Sequence, residues 1–350
     1  MLPVLVFKLD CSNYAHTMLS AVINSSTSPL ERAVDLCCSD MELVDACIHD
    51  NLQSDIMMIP AIGHYIVNSG GKRLRPLLCL LTAKLFNYQG TRHIPLSVVV
   101  EFIHTASLLH DDVVDSSDQR RGNPSANGVW GNQASVLVGD YLFSRSFQMM
   151  VADGDMAMLK LMSDVTNALA EGEVLQLSRT FHLEMTEAEC LEVIERKTAV
   201  LFKAASEVGA HAAGQSADVV AALAEYGMCL GVAFQLMDDA LDYLVEAEQA
   251  GKPVGHDLEE GKITLPLIHA MQRDPELAKR VEDISERDGY EEGDREWVRA
   301  RVAAQDGTGF AMSRARDYAE RAKALLPDHA DPEIKALLAD LADFSAHRPY

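Results

Sequence analysis

Two short acidic segments have the composition and spacing to do chemistry: Asp111-Asp112-Val113-Val114-Asp115 and Asp238-Asp239-Ala240-Leu241-Asp242. Both have the spacing DDxxD, and each ends an apolar run, LLH before the first and FQLM before the second. On a helix, residues four apart share a face, so Asp111 and Asp115 point one way, as do Asp238 and Asp242. Like charges in that register repel, so something positive belongs beside them. Carboxylate oxygens suit hard cations, and Mg²⁺ prefers a few carboxylates, several waters and phosphate oxygens. Two facing clusters could hold a diphosphate between bridging ions and stabilise it as a leaving group. The competing reading, a solvated acidic helix end, explains one such cluster better than two. A di-iron site needs two Glu-x-x-His motifs, and Glu101-Phe102-Ile103-His104 stands alone.

Cations that could answer these carboxylates are concentrated in Gly70-Gly71-Lys72-Arg73-Leu74-Arg75-Pro76, which is not a GxxxxGK[ST] phosphate loop. Lys72 and Arg75 could give charge-assisted hydrogen bonds to a diphosphate. Arg120-Arg121 follows the first acidic segment within ten residues, and Lys197, Lys252 and Lys262 are further candidates. His104 lies two turns before Asp111 on the same helical face.

The elements that must position these residues read as helices. Ser28-Pro29-Leu30-Glu31 and Thr186-Glu187-Ala188-Glu189 are capping boxes, and Asp274-Pro275 and Asp331-Pro332 are two more helix starts. Period-two alternation flanked by turn residues is hard to find. Segments 134–151 and 217–245 are apolar nearly all round, which predicts interior helices or a subunit interface. The pattern predicts one all-α domain over 29–350, a bundle of ten or more helices around a deep apolar cleft. Residues 1–28 form an extension outside it.

The chain has 350 residues, 48% hydrophobic and 24% charged, with a net charge of −23. So acidic a surface repels nucleic acid and anionic lipid, which excludes polyanion binding over the whole surface. Seven cysteines without a CxxC pair predict reduced thiols in a cytoplasmic protein. No uninterrupted apolar stretch approaches the roughly 18 residues of a membrane span, so no transmembrane segment is expected.

GGKRLRP, LLHDDVVDSSDQRRG, GNQASVLVGDYLFSRSFQMM, EGEVLQL, KTAVLF, FQLMDDALDY and GKPVGHDLEEGKITLP occur in that order. Together they resemble the trans-polyprenyl diphosphate synthase family, most of all its octaprenyl and decaprenyl members, from about residue 29 to the end. The resemblance implies an isoprenoid-synthase helical bundle, a homodimer and Mg²⁺-dependent head-to-tail condensation of isopentenyl diphosphate onto an allylic diphosphate, plausibly supplying a quinone side chain. It implies that Asp111, Asp112, Asp115, Asp238 and Asp242 carry metal and the allylic diphosphate, with Asp239 beside them. Arg120, Lys197 and Lys252 would hold that same diphosphate, and Lys72, Arg75, His104 and Arg121 would hold isopentenyl diphosphate. Thr198 and Gln235 would line the reacting centre, and Lys262 would close over it. A shorter-chain farnesyl or geranylgeranyl synthase is the alternative within the family. A terpene cyclase or head-to-head condensing enzyme would not need GGKRLRP. An inactive regulatory subunit would show a lesion in an aspartate motif, and both motifs are whole.

Product length is expected to depend on Ala106 and Ser107, one turn before the first cluster, where short-chain members of the family carry bulky aromatics. With small residues there, the tail passes and stops deeper, against Phe147 or Met150. Ala106→Phe is therefore expected to shorten the main product to the farnesyl or geranylgeranyl class and to spare the first condensations, as read by sizing labelled products.

Overall fold

The structure is a computed structural model and describes residues 27–69, 71, 73–120, 122–244, 255–287 and 289–347. Most of the expected N-terminal extension, and the candidate residues Lys72, Arg121 and Lys252, lie outside the described residues. The chain enters through α1 (Pro29–Leu36), α2 (Cys38–Asn51), α3 (Met58–Asn68) and α4 (Leu74–Lys84). It continues through α5 (His93–Val114), α6 (Ala126–Trp130), α7 (Asn132–Asp153), α8 (Met156–Ser178) and α9 (Glu187–Ile194). A π-helical segment, Glu195–Ala199, joins α9 to α10 (Val200–Ala212), and α11 (Ala217–Leu244) follows. The C-terminal part holds α12 (His256–Glu259), α13 (Leu265–Met271), α14 (Pro275–Arg287), α15 (Asp294–Ala304), α16 (Gly307–Ala324) and α17 (Pro332–His347). Among the described residues the extended structure is one two-residue antiparallel pair, β1 (Gln119–Arg120) with β2 (Asn123–Pro124).

The helix starts read from the sequence are made. Ser28 Oγ accepts from Glu31 N at 3.2 Å while Glu31 returns a bond to Ser28 N at 2.7 Å, and Thr186 with Glu189 repeats the pattern. Asp274 caps α14 through Leu277 N at 3.1 Å, and Asp331 caps α17 through Ile334 N at 3.1 Å. These bonds satisfy amides that have no partner within the helix.

Helix α11 runs through the core between α10 and α16. Against the sequence expectation it is long and apolar enough to cross a membrane. Yet 56% of that window is buried within the protein and the helix ends in an aspartate cluster, as befits a core helix. Its approach to α10 depends on the absence of side chains. A Cβ at Gly227 would lie 2.4 Å from the Phe202 carbonyl oxygen, and one at Gly231 would lie 2.6 Å from Ala199 Cα. Helix α5 packs along α7 in a similar way. Ser135 Oγ donates to Leu109 O at 2.9 Å, and a Cβ at Gly139 would fall 2.3 Å from His110 Nε2.

Helix α7 is not buried all round in this chain. Its outer face exposes Leu137, Phe147 and Val151, while Met150 is buried. Phe147 stands on the outer side of α7 in the single chain. Ala106 and Ser107 are both buried in α5. Cys37, Cys47, Cys79, Cys190 and Cys229 are free thiols.

Because Gly231 abuts backbone rather than a movable side chain, Gly231→Val is expected to cost about 1–3 kcal/mol or more by overpacking. The drop should appear in the midpoint of chemical denaturation, and turnover should fall as the neighbouring π segment is pushed aside.

Candidate active site

The last turn of α5 carries the first aspartate cluster and the last turns of α11 carry the second. In each adjacent Asp-Asp pair one carboxylate is buried and braced by a neighbour. Asp112 is 1% exposed and accepts three hydrogen bonds of 2.6–2.9 Å from the Arg120 guanidinium. Asp239 is 4% exposed and accepts from Gln235 Nε2 at 2.8 Å. Asp238 instead stands at the surface and Asp111 is partly exposed. Asp242 accepts from the backbone amides of His256 and Asp257, each at 3.2 Å, and so caps α12. Arg120 likewise serves Asp112 in this structure.

Lys197 and Thr198 lie on the π-helical segment, a geometry that adds a residue to one turn and often marks functional positions. Lys197 Nζ donates to Glu173 Oε2 at 2.6 Å, and its charge acts on Asp111. The backbone there presses on Gly172, where a Cβ would come within 2.8 Å of Lys197 N. Thr198 Oγ1 donates to Gln235 Oε1 at 2.9 Å, which continues a chain through Gln235 to Asp239. Lys262 joins the two clusters. Its Nζ donates to Asp115 Oδ2 at 3.3 Å and to Glu260, and its charge also acts on Asp239 and Asp257.

A cavity of about 150 Å³ opens here, lined by Lys197, Thr198, Gln235, Asp239, Asp257 and Lys262 among others. Asp111 and Asp115 do not line it; they meet the cavity wall through Lys197 and Lys262. On the other side of α10, the Arg75 guanidinium sits 4.7 Å above the Phe202 ring. Arg73, which begins α4 in the left-handed region at φ 43°, turns inward to pair with Asp45. The basic turn thus divides its arginines between an ion pair with Asp45 and stacking on Phe202. His104 is half-buried on α5, and its carbonyl accepts from Ser107 Oγ at 2.8 Å.

Negative charge is in excess around this cleft. Burial, then Glu173 and Asp115, push Asp111 up to about 7 against the pull of Lys197 and Arg120. Burial and the neighbouring Asp238 and Asp242 push Asp239 up to about 7, although Gln235 and Lys262 oppose the rise. Asp257 is raised well above the ordinary carboxylate range by burial and by Asp242 and Asp239. Burial would also raise Glu260, but hydrogen bonds from His256 and Lys262 hold it down to about 2. Glu173, Asp257 and Glu260 were not singled out from the sequence, although EGEVLQL and GHDLEEGK contain them. Nothing in the spacing distinguishes them from other acidic residues of an acidic chain.

The family model for polyprenyl synthetase matches residues 57–302. The chain belongs to the polyprenyl synthetase family. It is 43% identical over 324 residues to the octaprenyl diphosphate synthase of Escherichia coli K12, covering 91% of this chain and 99% of that protein. Its fold matches a polyprenyl synthase from Caulobacter crescentus CB15, crystallised with calcium and isoprenyl diphosphate, at a TM-score of 0.88 and 42% identity, covering 93% and 100% of the two chains. A decaprenyl diphosphate synthase from Rhodobacter capsulatus matches at a TM-score of 0.84 and 41% identity, covering 91% and 98%. The all-α bundle expected for the family is the fold observed.

A carboxylate whose folded-state pKa is raised favours the fold at low pH, and that contribution is lost as the pH rises from its ordinary value to the folded value, here about 7 for Asp111 and Asp239. His256, raised to about 9 chiefly by its hydrogen bond to Glu260, adds stability below its ordinary value that is lost as pH rises through 9. Both effects have the same sign. The melting temperature of metal-free protein is expected to fall from roughly pH 4 to about 7 through the carboxylates and on to about 9 through His256, and Asp239→Asn is expected to flatten only the part below about pH 7. Thermal melts in chelator-treated buffer check both.

Proposed function

We propose that the chain is a Mg²⁺-dependent long-chain trans-polyprenyl diphosphate synthase. On this reading it condenses isopentenyl diphosphate head-to-tail onto an allylic diphosphate to give an octaprenyl- or decaprenyl-class product. The observation that carries this reading is the pairing of two aspartate clusters across one cleft, with Lys262 reaching between them.

The donor set fits a hard divalent cation. It is all carboxylate oxygen, and burial, with neighbouring carboxylates, raises Asp111 and Asp239. Among the described residues no three His, Cys, Asp or Glu converge as a preformed cage. Mg²⁺ suits such a site because it keeps waters and takes substrate phosphate oxygens. Asp111, Asp115, Asp238 and Asp242 would hold it, with Asp112 and Asp239 bracing the clusters. The bound ion supplies neutralisation of the departing diphosphate.

The chain's own residues do the rest. Lys197 and Lys262 add positive charge where the allylic diphosphate leaves with its bonding electron pair. Arg75 and His104 orient isopentenyl diphosphate from α4 and α5. Thr198 and Gln235 lie at the cleft between the two substrates and hold each other in register. A carbon–carbon bond forms between the allylic carbon and the terminal alkene carbon, and loss of a proton to the departing diphosphate restores an allylic product. Closure of the cleft excludes water, which would otherwise capture the cation. A homodimer is part of the proposal. Leu137, Phe147 and Val151 of α7 and Val174 and Leu177 of α8 stand exposed, and a second copy would cover them.

Purified protein given farnesyl diphosphate, labelled isopentenyl diphosphate and Mg²⁺ is expected to yield a ladder ending in long polyprenyl chains. Excess chelator should abolish turnover and leave the helical circular dichroism intact. Asp111→Ala and Asp238→Ala should each cost on the order of 10²–10³ in rate or more. Full activity in chelator would overturn the metal-bridged mechanism.

A further inference from the structure

Lys262 reaches Asp115 and Glu260 from the short connection between α12 and α13, outside any helix. Its direction is set by the peptide that joins it to Gly261, and both polar groups of that peptide are bonded. Lys262 N donates to Asp257 O at 2.7 Å, and Gly261 O accepts from Phe181 N at 2.8 Å. A peptide is planar, so holding its N–H on one side and its C=O on the other fixes the orientation from which the lysine side chain departs. Asp257 belongs to the neighbouring α12. Phe181 comes from the connection between α8 and α9, far away in the chain.

Phe181 stands in the left-handed region at φ 52°, which a bulky residue adopts only where its surroundings determine it. Here they do. Arg179 Nη1 donates to Glu189 O at 2.9 Å and Nη2 to Glu192 Oε2 at 3.2 Å, which ties the connection to α9. Thr180 Oγ1 donates to Leu177 O at 2.9 Å, and His182 N donates to Arg179 O at 3.0 Å. Across the contact Gly261 has φ 74°, and a Cβ there would lie 2.5 Å from Thr180 Cγ2 and 2.9 Å from the Phe181 ring. Two left-handed residues thus meet with no room for a side chain on the second. Arg179, Gly261 and Lys262 line the same cavity.

We propose that Phe181 is a positioning residue for Lys262, its backbone amide latching the Gly261–Lys262 peptide so that the lysine is held beside the first aspartate cluster. The inference rests on the synthase reading, in which Lys262 meets the allylic diphosphate. A lysine side chain is long and flexible, so a fixed root narrows the positions its ammonium samples. Phe181 acts through Lys262 and touches no reacting atom. Loss of the latch leaves the charge present but misplaced. The latch needs an N–H at positive φ and not an aromatic ring. Asparagine, which tolerates the left-handed region, can supply it; proline, which lacks the N–H and is fixed near a φ of about −65°, cannot.

The test is a double-mutant cycle on the full chain, read by calorimetric binding of magnesium pyrophosphate and by turnover of farnesyl diphosphate with labelled isopentenyl diphosphate. Phe181→Pro is expected to lower both by about tenfold, the loss of one charge-assisted hydrogen bond. Phe181→Asn is expected to keep both within about twofold of wild type. In a Lys262→Ala background Phe181→Pro is expected to add nothing. A folded Phe181→Pro protein with wild-type binding and turnover overturns the latch. So does an equal loss in the Lys262→Ala background, which is what a merely structural role predicts, and so does a Phe181→Asn loss as large as that of Phe181→Pro. Should Phe181→Pro not fold, Gly261→Ala, which drives a Cβ into Thr180, takes its place in the same cycle and is judged by its dependence on Lys262. Wild-type protein that binds magnesium pyrophosphate but makes no polyprenyl product overturns the synthase reading, and the binding cycle still decides the latch. Wild-type protein that binds none overturns both.

Discussion

The carboxylates of α5 and α11 crowd one cleft, and much of the surrounding structure serves to hold them there. An unpaired buried charge is costly, and like charges side by side compound the cost. The fold meets this in three ways. Arg120 takes Asp112 in a fork of hydrogen bonds, Gln235 holds Asp239, and Lys262 pairs with Asp115 and Glu260. What remains uncompensated at Asp111 and Asp239 is a standing demand for positive charge. On the proposed reading a cation carrying a diphosphate would meet it.

That arrangement requires helices closer together than side chains would ordinarily allow. Gly227 and Gly231 bring α11 against α10 and the π segment, and Gly172 brings α8 against Lys197. The extra residue in the π turn then turns Lys197 toward Glu173 and Asp111 while Thr198 faces Gln235. Close helix packing and the chemistry of the cleft are one constraint seen at two scales.

Much of this was legible in the sequence. The helix starts at Ser28, Thr186, Asp274 and Asp331 were readable because a cap is a local bond between residues a few positions apart. The two DDxxD segments were readable because four-residue spacing fixes a helical face. What could not be read depends on distant partners. The division of each Asp-Asp pair into braced and outward members follows from Arg120 and Gln235, which local spacing does not place. The use of Asp242 as a cap depends on a helix beginning fourteen residues later. The π turn has no residue signature, and apolar composition does not say which side of α7 a neighbour covers.

The contact between Lys262 and Asp115 has a consequence for how ligand affinity should be understood. In the ligand-free chain this lysine already serves as counter-ion to the carboxylate. Association of a metal–diphosphate pair is then an exchange of partners, in which one ion pair is dissolved as others form. The measured affinity is a difference between two ionic arrangements, and added salt weakens both sides of that difference. The ionic-strength dependence of binding should accordingly be shallower than the number of charges on the diphosphate would suggest.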